Sequence, residues 1–310
     1  QYAALIALGI KKNDEVIIPN ITFISTANAV IMAGAKPVLC EIYKDDLCID
    51  YSKIEKLITK RTKMIIPVHL YGLTADMFEI NKIAKKYKLK VFEDAAQGMG
   101  VYFKKNHVGT FGDIGMISFY GNKTITTGQG GILLTNKRKL YQKLVKLKNH
   151  GRIKQGTFIH DDIGFNFAFT DLQAALGVSQ LKKLQRIINK KKSIKKKYDN
   201  ALLKLNEIKN IKIPKNCKPV FWFTSYLFKD SENLLKYLLK EGVQTRKFFY
   251  PLHMQPCYKG KKIVKNLNSN FNISEEVYNS GLSLPSSYNL TDKQQKYVIS
   301  KIINYYENRN

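Results

Sequence analysis

The sequence predicts an α/β protein: a mainly parallel sheet with helices on both faces, followed by a smaller α/β domain. Short apolar runs of strand length alternate with helix-period segments through the first half, the signature of repeated strand–helix units packed into a parallel sheet. A Gly-rich connection then joins two more strand-like runs. Near residue 190 the texture changes to a lysine-rich helix followed by an aromatic strand and further helices. With 310 residues the chain can form one large domain and a smaller one, here placed at 1–189 and 190–310.

The elements follow in order. Residues 1–8 form a helix-like apolar run that Gly9 closes. Runs 16–19, 37–42, 64–70 and 89–92 read as buried strands, separated by helical segments at 26–33, 52–59 and 75–87. Ser52 and Glu55 have capping-box spacing for the second of these helices, and Asp76 precedes an apolar face alternating with lysines in the third. Strands at 114–120 and 131–135 flank the Gly-rich connection. Helices at 170–183 and 184–205 come next, then a strand at 220–228 and helices at 232–241 and 292–308. There is no internal repeat and no low-complexity tail.

Composition narrows the function classes. Hydrophobic residues make up 44% of the chain, as in a globular protein. No apolar run approaches the roughly 18 residues that a membrane span requires, so no membrane partner is expected. Cys40, Cys48, Cys217 and Cys257 are scattered with no C-x-x-C pair, which predicts a reduced, cytoplasmic setting. The formal net charge is +28, but nearly all of it is lysine, in runs such as 190–192 and 195–197 without interleaved aromatic residues. That pattern describes a solvated basic surface that attracts anionic substrates, rather than a nucleic-acid platform. The chain begins at Gln1 without Met, already inside a helical run, and reads as one whose beginning is missing.

Two segments carry chemistry. Asp94 ends the apolar run Val91-Phe92-Glu93-Asp94, where parallel sheets place their sites. A carboxylate there can bind a metal, act as a base, hold a protonated ring nitrogen or cap the next helix. Lys123 lies between two strands among Gly121, Asn122, Thr124, Thr127 and Gly128, whose hydroxyl and N–H groups suit an anion such as phosphate. The spacing is not that of a P-loop. A lysine beside a phosphate nest and a strand-end aspartate suits imine formation with a phosphorylated aldehyde; the bland alternative is a structural loop. His107, His150 and His160 lack metal-ligand spacing, and no metal is expected.

Taken together, these segments resemble the DegT/DnrJ/EryC1/StrS family of sugar aminotransferases, and the resemblance runs along almost the whole chain. It is carried by Asp14-Glu15-Val16-Ile-Ile-Pro19-Asn-Ile-Thr22-Phe23, Pro67-Val-His69-Leu-Tyr71-Gly72, Glu93-Asp94-Ala-Ala-Gln97, Ser118-Phe119 and Lys123-Thr-Ile-Thr-Thr-Gly-Gln-Gly-Gly. Gly164-Phe-Asn166-Phe, Asp171-Leu-Gln-Ala-Ala-Leu-Gly177, Thr245-Arg246 and Tyr250-Pro-Leu-His253 continue it. The resemblance implies a type I aminotransferase fold, pyridoxal 5'-phosphate as cofactor and a homodimer with shared active sites. Lys123 would hold the cofactor as a Schiff base and shuttle the proton. Asp94 would pair with the ring nitrogen, Gln97 would bond near the phenolic oxygen, and Ser118 would donate to the phosphate. Asn166 would reach the phosphate from the neighbouring subunit.

Other positions keep two readings. Phe23 either stacks on the cofactor ring or is core. His253, with Tyr250, either contacts the sugar or packs. His69 reads as a satisfied buried histidine, and Arg246 or Arg152 as a phosphate ligand. The sequence departs from the family at Gln129, where Glu is usual, and at Ala168, where Arg is usual; the family's Gly-Thr/Ser phosphate turn falls just before residue 1. The resemblance implies transfer of an amino group from glutamate to a nucleotide-linked keto-deoxy sugar, a 4-keto-6-deoxyhexose for surface polysaccharide. The alternatives are a sugar dehydratase, whose branch has histidine at the lysine position, an idle regulatory relative, and a nucleic-acid-binding protein.

Overall fold

The computed structural model describes residues 1–152, 156 and 158–308. Helix α1 (Tyr2–Ala7) ends at Leu8, and Gly9 takes a left-handed φ of 82°. Then come β1 (Glu15–Pro19), α2 (Ser25–Met32), β2 (Lys36–Cys40), α3 (Tyr51–Ile54), β3 (Thr62–Ile65), α4 (Met77–Lys86) and β4 (Lys90–Asp94). A small hairpin of β5 (Tyr102–Phe103) and β6 (Asn106–His107) precedes β7 (Ile114–Ser118) and β8 (Gly131–Leu134). Helices α5 (Arg138–Lys148), α6 (Asp171–Lys182) and α7 (Leu184–Leu202) follow. The remainder is β9 (Ile208–Asn210), β10 (Cys217–Lys218), β11 (Thr224–Phe228), α8 (Ser231–Lys240), β12 (Arg246–Lys247), α9 (Asn272–Ser280), β13 (Gly281–Leu284) and α10 (Asp292–Glu307).

The main sheet has the order β2-β1-β3-β4-β7-β8, parallel except for β8. Its central strands are mostly buried because both faces are covered; every residue of β1 is buried. A second, antiparallel sheet, β12-β13-β11-β9, packs with α7, α8 and α10 around Tyr198, Tyr226, Leu234 and Ile302. α7 spans residue 190. The later part of the chain also returns to the first sheet: Leu252, Tyr258, Val264 and Phe271 share a core with α1, α2 and β1.

Several local expectations change. The cap of α3 is Asp50, which accepts from the Ser52 N–H at 3.0 Å, so the Ser52–Glu55 capping box does not form. β3 ends at Ile65 rather than 70, because Pro67 has no N–H with which to continue the ladder. Asp76 does cap α4, accepting from Phe78 and Glu79. A reciprocal capping box of Thr170 and Gln173 opens α6. Helices α5 and α9 were not expected.

Residue 265 follows the outer edge of β2, with Lys265 N–H donating to the Pro37 carbonyl at 2.8 Å. Its ammonium reaches the buried Glu15 carboxylate at 2.8 Å, which also accepts from Arg61 Nε at 3.0 Å and Thr59 Oγ1 at 2.7 Å. Burial opposes the charge on Glu15, but Lys265, Thr59 and Arg61 outweigh it and hold the carboxyl at about 2, below its ordinary 4.5. The folded state thus binds this proton more weakly than the unfolded chain. Glu15 therefore stabilises the fold above pH 4.5, and that contribution is lost as the pH falls toward 2. Urea midpoints measured across this window should drop more steeply for the wild type than for Glu15→Gln.

Candidate active site

The carboxyl ends of the parallel strands gather the site, as expected for an open α/β sheet. Asp94 ends β4, Ser118 ends β7, Phe23 follows β1, and Lys123 lies in the β7–β8 connection. The close fit of β7 against the preceding turn requires glycine: a Cβ on Gly115 would sit 2.0 Å from the Gly109 carbonyl oxygen. α6 braces the Lys123 loop from outside, with Gln173 Nε2 donating to the Gln129 carbonyl at 3.2 Å.

Alternation along β4 sends its two carboxylates to opposite faces. Asp94 Oδ2 accepts from Thr26 Oγ1 at 2.9 Å and Gln1 Nε2 at 2.7 Å, while Oδ1 accepts from the Ala96 N–H at 3.1 Å. Glu93 faces the other way, fully buried, and accepts the N–H groups of Gly109, Phe111 and Gly112 at 2.6–2.7 Å. His69 completes this cage. Its Nδ1 accepts from Ala75 N–H at 3.3 Å, which leaves Nε2 to donate to Glu93 at 3.1 Å. Burial works against the Glu93 charge, but His69, Gly112 and Gly109 prevail and hold the carboxyl below its ordinary value. The backbone N–H of His69 donates to the Asp94 carbonyl at 3.0 Å, so the cage is joined to the site strand.

Lys123 opens onto a cleft of about 680 Å³, lined also by Lys183, Lys191, Trp222, Arg246 and Tyr288. Its Nζ stands 4.0 Å from the centre of the Trp222 ring. Burial lowers the ammonium from its ordinary 10.5 to about 8, with Asp94 pulling in the opposite direction. Roughly a tenth of the amine is therefore neutral and nucleophilic at pH 7, far more than for an ordinary lysine.

Gln97 is buried, and its Oε1 accepts from Tyr71 N–H at 2.6 Å, leaving the amide NH₂ as its donor. Tyr71 takes a left-handed φ of 52° and stacks against Phe249 at 5.5 Å. Phe23 is 56% exposed, a ring presented to the outside rather than core, with Phe249 at 5.8 Å. Ser118 is half-buried, and its Oγ accepts from Tyr120 N–H at 3.3 Å. Arg246 is exposed on the cleft wall and forms no ion pair among the described residues.

His253 is held on both nitrogens. Asn20 Nδ2 meets Nδ1 at 2.8 Å, and Nε2 meets Glu275 at 3.1 Å. Tyr250 is half-buried and lies edge-on to Tyr278 at 5.0 Å. Asn166 is exposed and bridged to Asn149, with no contact to Lys123 or Asp94 among the described residues. Arg152 donates to Asn149 Oδ1 at 3.0 Å. Sequence reasoning missed Thr26, Asn20, Lys191 and Trp222. The last could have been noticed as the only tryptophan in the chain.

A half-buried amine shifted toward its neutral form, with a strand-end carboxylate near enough to act on its charge, fits a carbonyl cofactor with an aromatic nitrogen. The model of the DegT/DnrJ/EryC1/StrS aminotransferase family matches residues 2–303. The chain belongs to that family.

Among relatives of this DegT-family chain, the GDP-perosamine synthase of Escherichia coli O157:H7 is 36% identical over 99% of the chain and 83% of its own length. The enzyme of the same name from Vibrio cholerae is 33% identical over 98% of the chain and 83% of its length. Of solved structures, S. venezuelae DesV in complex with a ketimine intermediate superposes with a TM-score of 0.92 at 29% identity, covering 99% of this chain and 82% of that one. Bacillus subtilis NtdA with bound cofactor PMP gives a TM-score of 0.91 at 30% identity, over 99% and 71%. The DegT-family protein described here is thus a pyridoxal-phosphate-dependent sugar aminotransferase with the type I aminotransferase fold.

Proposed function

We propose that the enzyme moves an amino group from glutamate to a nucleotide-linked 4-keto-6-deoxyhexose for surface-polysaccharide synthesis. The observation that carries this reading is Lys123: a half-buried amine lowered to about 8, opening onto a cleft with a basic wall. Two relatives named GDP-perosamine synthase support a guanosine-diphosphate sugar as the first substrate to test. A lysine at this position favours amino transfer over dehydration.

Pyridoxal phosphate, when bound, supplies an electron sink for the carbon that loses its proton. The chain's own residues do the rest. Lys123 Nζ would hold the cofactor and would take the proton from, or return it to, the substrate carbon in each half-reaction. Asp94, oriented by Thr26, would hold the proton of the ring nitrogen. The Gln97 amide would donate to the phenolic oxygen, Phe23 would cover a ring face, and Ser118 would donate to the phosphate. Arg246 attracts the substrate's diphosphate from the cleft wall, with Tyr250 beside the sugar. His253, saturated by Asn20 and Glu275, holds its segment in place rather than reaching the sugar.

The second protomer enters through an unusual surface. α6 has no buried residue, and Leu172 is 86% exposed, next to a stretch in which Phe158 and Ile163 are 89% and 82% exposed. So many exposed apolar side chains between residues 158 and 176 support a partner interface, and Asn166 lies among them in the chain. This reading makes a homodimer in which Asn166 serves the partner's phosphate site. Light scattering should show Leu172→Glu combined with Leu176→Glu shifting dimer to monomer, with weaker cofactor retention; a dimer that survives both changes refutes the assignment. The four free cysteines support a reduced, cytoplasmic setting.

The test of function is spectroscopic and then chemical. With pyridoxal phosphate the protein should develop a visible band that L-glutamate bleaches. Adding a GDP-linked 4-keto-6-deoxyhexose should restore the band and yield an amino sugar by mass spectrometry. A band indifferent to glutamate removes glutamate as donor. Bleaching without recovery removes this sugar as acceptor.

A further inference from the structure

Lys191 is an unusual residue to find in the wall of this cleft. It lies on α7 at 8% exposure, between the buried Ile187 and Ile194 on the same helix face, where an aliphatic side chain would pack without desolvation cost. Among the described residues it forms no ion pair. Lys195, one turn further on, is likewise buried but pairs with Asp199. Instead the Lys191 ammonium donates to two backbone carbonyls, Trp222 at 2.9 Å and Ser286 at 3.2 Å. Burial lowers it from its ordinary 10.5 to about 8.

The two carbonyls lie just beyond a pair of hydrogen-bonded strand ends, Thr224 of β11 standing opposite Leu284 of β13. Trp222 precedes β11, and Ser286 follows β13; Ser286 Oγ in turn accepts from Thr224 N–H at 3.2 Å. The Trp222 ring extends from there to Lys123. Its Nε1–H donates to the carbonyl of Asn122, the residue before Lys123, at 2.7 Å, and its face lies 4.0 Å from Lys123 Nζ. The indole thus touches both the backbone and the amine of the reacting loop. Cation–π attraction at that distance favours the charged amine, against the burial that disfavours it.

We propose that Lys191 is a positioning residue for amino transfer. By bridging the Trp222 and Ser286 carbonyls it holds the indole over Lys123 Nζ, and so sets where the reactive amine stands in the cleft. This rests on Lys123 as the cofactor-bearing lysine, but its first test needs no cofactor.

Trp222 is the only tryptophan, so intrinsic emission reports this one site. Emission is compared in cofactor-free wild type, Lys123→Met, Lys191→Met and the double variant, with circular dichroism as the control for folding. Removing the Lys123 ammonium should change emission intensity clearly in the wild-type background and little in the Lys191→Met background. Lys191→Arg, which can still bridge two carbonyls, should retain the coupling. Lys191→Gln, too short to reach both, should lose it and serves if the methionine variant does not fold. In the holoenzyme, kcat of the glutamate half-reaction should fall in Lys191→Met, up to the roughly 10²-fold that a 1 Å misplacement of a reacting group costs, and recover in Lys191→Arg. Equal emission changes in both backgrounds overturn the proposal, as does an unchanged kcat in a variant whose emission is decoupled. Failure of the Lys123 assignment would look different: a visible cofactor band persisting in Lys123→Ala.

Discussion

Lys123→Ala is expected to abolish the visible band with pyridoxal phosphate and to reduce amino transfer by at least the roughly 10²–10⁴-fold that a positioned proton carrier supplies. Lys123→Arg should do the same, because a guanidinium keeps the charge but offers no neutral amine at working pH. Thermal stability should not fall in the alanine variant, since burial opposes the ammonium in the folded state. The pH dependence has a definite sign. The unprotonated amine is the nucleophile, so the rate at which cofactor-free wild type captures pyridoxal phosphate should rise as pH increases through about 8 and level off above it. A rate still climbing toward 10.5 would mean that the cleft does not shift this lysine.

Glu93→Ala should be the most damaging change away from the cofactor. It leaves the N–H groups of Gly109, Phe111 and Gly112 and the His69 ring without their acceptor, in a region where neither Glu93 nor His69 has solvent exposure. Removing one partner from such a buried set typically costs about 3–5 kcal/mol. Urea unfolding of cofactor-free protein measures it directly, and a loss below about 1 kcal/mol would show that the cage is dispensable. Glu93→Gln keeps the shape but turns one donor toward other donors, so an intermediate loss is expected. Because the folded carboxyl is held below its ordinary value, the stabilisation should be complete above pH 4.5 and fade as the pH falls. The cage is tied to Asp94 through the strand, so Glu93→Ala should also weaken cofactor binding.

The strand–helix repeat was legible because buried strands and amphipathic helices carry their period locally. The helix at 77–86 shows this: Asp76 and the apolar face after it are both readable in order. Elements of two to four residues, such as β5, β6, β10 and β12, are too short to carry a period. The helix over 51–54 shows a different limit, since Asp50 and Ser52 both qualify as caps on composition and only geometry chooses Asp50. In the site, Lys123, Asp94 and Gln97 stood out because they lie within short distinctive runs. Lys191 did not, because among many lysines nothing local separates it from Lys190 and Lys192. Its meaning lies in partners 31 and 95 residues away. His69 read correctly as a satisfied histidine, although its partner Glu93 was hidden by its neighbour Asp94.

The covering of β2 by residue 265 bears on how the chain is made. β2 is the outer strand of the main sheet, and its free edge is occupied by a segment synthesised more than two hundred residues later. While the polypeptide is still on the ribosome, the first strands can pair among themselves, but that edge stays open to any neighbouring nascent chain. Chains halted before residue 265 should therefore associate through β2 and depend on chaperones, whereas chains released after it close their own edge.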